Sequence, residues 1–288
     1  MDVTARMVGR QIPPRTWHPR PEPTRFFISP MFALTKWYLD LVTDDGLALV
    51  AYSARLHWGP IRLGYSALLR SAPGHAPLDT ASIRRSEVPH LDLDLITWRS
   101  IPLGLVGSWH REAAPIDATL LETADGEIQW NCRMPRAHVS ITCGGETWLG
   151  RGYAETLRLT IVPNRLPFRI LRWGRHLSDR HAVVWIEWEG DSCRRWVWLD
   201  GVEQPGARLT ATGLDLGDGR TVRFAESRDL RNRPVGAGLS PLAPPVRRRL
   251  VGSLGGMREH KLLSRSTLIS ADGGPMDAGW AIHEEVIW

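Results

Sequence analysis

An all-β fold is predicted by three features of this 288-residue sequence. Short runs of alternating apolar and polar residues recur along it, each closed by Gly, Pro, Asp or Asn. Few stretches carry a helical period. One unit of strand, turn, strand, turn and strand occurs twice.

Taken in order, residues 1–30 contain Pro13, Pro14, Pro19, Pro21, Pro23 and Pro30. Proline fixes φ and withholds a backbone donor, so this arm is expected to lie extended over the body of the protein. KWYLDLV (36–42), the Asp44-Asp45-Gly46 turn, LALVAYSARL (47–56), Gly59-Pro60 and IRLGYSALL (61–69) then read as a three-strand meander. Further strands are expected at LDLDLITWR (91–99), DATLLET (117–123), EIQWNCR (127–133), AHVSITC (137–143) and AETLRLTIV (154–162). Residues 245–258 offer the best helical period, and Gly252, Gly255 and Gly256 keep any helix there short.

The repeat begins at Lys36 and again at Arg172. Each copy opens with a basic residue and a tryptophan, turns at an aspartate, runs through an aromatic strand, turns again and closes with a third strand. In the second copy Val184, Ile186 and Trp188 share one face, and Trp196 and Trp198 share a face of the next strand. Two copies imply two similar β units side by side, divided near Pro163-Asn164. Of the 14 tryptophans, Trp185, Trp188, Trp196 and Trp198 are expected in core and Trp130 on a cavity wall.

The stretch from Trp130 to Glu155 carries the chemistry. Gly144-Gly145 reads as the turn of a hairpin that brings Trp130 near Tyr153 and Glu155. Residues two apart on a strand share a face, so Tyr153 and Glu155 point the same way. A carboxylic acid walled by aromatic faces can protonate an alkene and stabilise the resulting cation. That role requires burial to lift the acid above its ordinary pKa of about 4.3. Arg151, four residues earlier, offers the competing arrangement of an ion pair with Glu155, unless a bulge at Gly150 and Gly152 turns it away.

The order Trp130, Pro135-Arg136-Ala137, Trp148-x-Gly150-x-Gly152-Tyr153-x-Glu155 and Arg172-Trp173 resembles the carotenoid 1,2-hydratases (hydroxyneurosporene synthases). It also resembles their lipocalin-like relatives, the attachment-operon proteins, and more distantly tocopherol cyclase. The match spans roughly residues 130–190. It implies two lipocalin-like antiparallel halves, a barrel or sandwich each: 1–162, including the proline-rich arm, and 163–288. The family's active site joins a His-x-Trp pair to a Gly-Tyr-x-Asp element whose Asp donates a proton to an isoprenoid double bond. Position by position, Trp falls on Trp130, Tyr on Tyr153, Asp on Glu155 and His on Ile128. Cofactor-free hydration, isomerisation or cyclisation of an isoprenoid C=C bond is therefore implied. A non-catalytic lipid-binding protein and a cyclase that works by shape alone stand as the alternatives.

Composition fits a globular chain, at 43% hydrophobic and 23% charged residues. Net charge is +5, yet only Lys36 and Lys261 are lysines, and the arginines are spread along the chain against 31 acids. Arg247-Arg248-Arg249 is the only basic run, so no nucleic-acid partner is expected. Cys132, Cys143 and Cys193 form no CxxC pair, which points away from zinc and disulfides and toward a reducing compartment. No stretch approaches ~18 consecutive apolar residues. The expectation is a cytoplasmic protein that collects a hydrophobic substrate from a membrane surface or a carrier. His283-Glu284-Glu285 has the residue types of a metal site, but neighbours alternate across a strand; a terminal strand is the simpler reading. His57, His110, His176 and His181 lack metal-ligand spacing, and neither nucleotide nor flavin motifs occur, so no cofactor is expected.

Overall fold

The computed structural model describes residues 31–83, 87–235 and 256–288, with single positions 237, 248 and 252. The arm 1–30 and nearly all of the stretch 245–258 lie outside the described residues.

Two antiparallel sheets account for almost all of the described chain, one of them curled into a half-barrel. The first contains β1 (Phe32–Val42), β2 (Ala48–Trp58), β3 (Ile61–Ser71), β4 (Leu78–Ile83), β5 (His90–Asp92), β6 (Leu95–Ser100), β7 (Leu105–Arg111), β8 (Ile116–Thr123), β9 (Gly126–Cys143) and β10 (Glu146–Leu159). A 3-10 turn at Pro163–Arg165 leads to the second. That sheet contains β11 (Phe168–Ser178), β12 (Ala182–Gly190), β13 (Arg194–Leu199), β14 (Val202–Glu203), β15 (Arg208–Thr210), β16 (Gly213–Asp215), β17 (Thr221–Pro234), β18 (Arg258–Ile269) and β19 (Pro275–Ile287).

The strand orders match. The first sheet runs β4-β3-β2-β1-β10-β9-β7-β6-β5, with β8 also on β9; the second runs β14-β13-β12-β11-β19-β18-β17-β16-β15. Each half therefore starts mid-sheet, with its first strand held between its second and its last. The repeat starting at Lys36 and Arg172 is this shared framework, since those residues occupy the fifth positions of β1 and β11.

Three strand expectations need correction. LDLDLITWR is two strands, because Leu93 adopts φ +45° and turns the chain with Asp94. No glycine marks that turn. The segments 127–133 and 137–143 form the single strand β9, which carries Pro135 through a register shift against β10. Proline is tolerated in a strand where the ladder is interrupted. The third, expected at 154–162, begins at Glu146 and ends at Leu159.

One apolar cluster around Leu39, Trp98 and Trp109 fills the first half, and another around Val183, Trp185 and Leu214 fills the second. The third draws on both sheets, including Tyr38, Trp130 and Tyr153 from one and Trp173, Trp188 and Ile282 from the other. Within this shared layer Arg175 Nη2 and Nε donate to the two oxygens of Asp40 at 2.8 and 3.1 Å, with both side chains fully buried. The fork geometry satisfies both ions where solvent cannot.

Candidate active site

Glu155 lies on β10 opposite Tyr38 of β1 and Cys132 of β9. Trp130 lies two residues along β9 from Cys132, the diagonal distance that a long side chain spans. Its Nε1 donates to Glu155 Oε2 at 2.5 Å. Tyr153 Oη donates to the same oxygen at 2.6 Å, and Trp173 Nε1, from β11 of the other half, donates at 3.0 Å. All three donors converge on Oε2. Oε1 makes no hydrogen bond among the described residues.

Glu155 is 7% exposed. Burial pushes its pKa up; the hydrogen bonds from Tyr153 and Trp130 and the charge of Lys36 pull against that rise, while Glu284 adds to it. The net direction is upward, toward the neutral acid, because leaving water disfavours the charged form most. Burial likewise raises the Tyr153 phenol and the Cys132 thiol well above their ordinary values, so both stay protonated.

Glu155 opens on a cavity of about 390 Å³ walled by both sheets. Leu34, Ile128 and Leu157 contribute from the first, Leu171, Ile186 and Val286 from the second. Trp130 and Trp173 also line it, and Trp130 stacks on Trp198 at 5.0 Å between centroids. A volume of this size suits a small organic ligand.

Tyr153 is fully buried and lies behind the carboxyl, outside the cavity wall. Trp173 occupies the wall position instead. Trp188, expected only as core, also lines the cavity, while Trp185 packs in the core of the second half.

The competing pair does not form. Arg151 Nε donates to Asp179 at 2.7 Å and Nη1 to Glu112 at 3.0 Å, and four steps along the strand place its backbone about 13 Å from that of Glu155. The register shift falls in β9 opposite Tyr153, while β10 stays regular against β1. Gly150 and Gly152 serve another purpose: a Cβ on them would stand 2.3 Å from Val42 O and 2.0 Å from Asp40 O. Ile128 is buried on the apolar wall, so no imidazole stands at that position.

A mirrored row crosses the second sheet. Trp173 of β11 pairs with Glu284 of β19, which pairs with Lys261 of β18, which pairs with Arg231 of β17. Lys261 is fully buried, bonded to Glu284, and lies 5.3 and 5.5 Å from the rings of Tyr38 and Trp173. His283 faces away and bonds Ser264 at 2.9 Å, while Glu285 accepts from Arg172 at 2.8 Å. Alternation thus disperses the His283-Glu284-Glu285 triplet. Among the described residues no cluster is arranged to hold a metal, and the three cysteines are free. No described helix is long and apolar enough to cross a membrane.

Two halves of one lipocalin-like topology, sharing a ring-lined cavity, define the fold class. No family model and no curated protein matches the sequence. Solved structures do. CghA aligns with TM-score 0.56 at 12% identity, covering 89% of this chain and 88% of its own. An AttH-like protein of Nitrosomonas europaea aligns at 0.55 and 14%, covering 88% and 91%. CghA with Sch210972 aligns at 0.53 and 13%, covering 89% of each chain. At such identity the likeness is one of fold.

Proposed function

We propose that this protein is a cofactor-free enzyme that initiates chemistry at a carbon–carbon double bond of a hydrophobic, isoprenoid-type substrate by proton transfer from Glu155. The observation that carries the proposal is the buried carboxyl on an apolar cavity, with Oε2 saturated by three donors. The acidic proton then resides on Oε1, the oxygen left for the ligand. Transfer to the alkene leaves a carboxylate on Glu155 and a tertiary cation in the cavity. Trp130 and Trp173 supply the ring faces, worth about 1–2 kcal/mol each when desolvated. The three donors stabilise the new carboxylate. Water adding to the cation returns its proton to Glu155 and completes hydration; loss of a neighbouring proton to Glu155 gives an isomer; attack by an internal alkene closes a ring and moves the charge to a new carbon, which then loses a proton to Glu155.

Ile128 keeps the wall apolar where a family histidine would stand. Docking at a membrane surface would deliver such a substrate. The second reading, a lipid-binding protein without turnover, draws on the same three donors, since they also suit a fixed carboxylate. Incubation with acyclic isoprenoid alkenes in D2O separates the two. A donor places one deuterium on carbon in the product, and Glu155→Gln abolishes it. Binding without deuterium incorporation by the native protein favours the carrier.

A further inference from the structure

The cavity wall is not uniformly apolar. Lys36, Tyr52, Arg231, Arg233 and Glu259 gather on it. Lys36 Nζ stands 5.0 Å from the centroid of the Tyr52 ring, and the Arg231 guanidinium stands 5.4 Å from the same ring. Tyr52 is 5% exposed, and its hydroxyl has no hydrogen-bond partner. Burial holds that phenol protonated, so it remains a donor.

The charges do not balance among themselves. Arg231 and Arg233 share Asp79 at 2.9 and 2.6 Å, and Arg231 also reaches Glu259 at 3.4 Å. Lys261 is paired with Glu284 and lies 3.5 Å from Glu259. With Lys36 there are four cations against the three carboxylates Asp79, Glu259 and Glu284. Lys36 is the cation left without an ion-pair partner among the described residues. In a chain that otherwise uses arginine, its two lysines are Lys36 and Lys261, both in this cluster.

We infer that the cavity takes an amphiphile whose apolar body lies along the aromatic wall and whose anionic oxygen head group is bound by Lys36 Nζ and the Tyr52 hydroxyl. This rests on the cavity being the ligand site, and it sets the substrate apart from a pure hydrocarbon. The unmatched ammonium supplies charge and the orphaned phenol a directional donor, while the neighbouring guanidinium of Arg231 adds positive field. A neutral polyene would leave the buried phenol of Tyr52 without a partner, which is costly, and the half-buried ammonium of Lys36 without a counter-charge.

Two probes of one carbon skeleton, all-trans-retinoic acid and retinol, test the inference by quenching of tryptophan fluorescence at pH 8. The acid is expected to bind at least tenfold more tightly than the alcohol. Lys36→Met should erase that difference while leaving retinol affinity within about twofold, and Lys36→Arg should retain it. Retention of the retinol signal shows that the Met variant is folded. Equal affinity for acid and alcohol in the native protein, or a preference that survives Lys36→Met, overturns the head-group inference alone. Failure of both probes to bind overturns the cavity reading and this inference with it.

Discussion

Replacing Glu155 by Gln separates a buried neutral acid from a buried carboxylate without needing a substrate. Gln presents one carbonyl oxygen to Trp130, Tyr153 and Trp173, and places its amide group where the acid carries its hydroxyl. At low pH, where the acid is neutral folded and unfolded, the two proteins should differ by no more than about 1 kcal/mol, the scale of a neutral hydrogen bond. At higher pH they diverge. The folded-state pKa of Glu155 is raised by burial, so between the unfolded value of about 4.3 and that raised value the folded chain binds the extra proton. Native stability then falls, relative to Glu155→Gln, by up to about 1.4 kcal/mol per pH unit, levelling off above the folded-state pKa. Urea unfolding of both proteins from pH 4 to 9, followed by tryptophan fluorescence, reads the difference, and subtraction cancels every other titrating group. A native protein that gains on the variant as pH rises would mean a lowered pKa and would refute donation by Glu155.

Other consequences follow from the same geometry. Tyr153→Phe removes a donor that favours the carboxylate, so the high-pH limb of deuterium incorporation should move to higher pH; an unmoved limb would deny Tyr153 a part in setting the acid. Arg175→Met strands the Asp40 carboxylate between the halves and should cost about 3–5 kcal/mol in urea unfolding, much of it recovered when Asp40→Leu is added. His176, lowered to about 4 by burial and by Arg175, loses stability as pH falls from its ordinary value of about 6.5 through 4. His176→Gln should flatten part of that acid loss, with the remainder shared by His283, also lowered to about 4.

Strand alternation and the Lys36 and Arg172 repeat made the all-β, two-half architecture legible, because a half-buried strand must alternate. Turns without glycine were not legible: Leu93 bends the chain with no residue that announces it. Glu155, Tyr153 and Trp130 could be grouped because one hairpin joins them. Trp173 could not be recognised as the third donor, since it arrives from the other sheet. The same holds for the Asp40 and Arg175 pair, 135 residues apart in sequence. Lys36 and Lys261 did carry a signal, as two lysines in a chain of arginines. Their shared position beside the cavity needed the fold.

Infrared difference spectroscopy of the native protein against Glu155→Gln at neutral pH tests the central claim most directly. A carbonyl stretch of a protonated carboxylic acid, present in the native protein and absent from the variant, is the predicted result. A difference spectrum containing only carboxylate bands would show Glu155 ionised at rest and contradict the account.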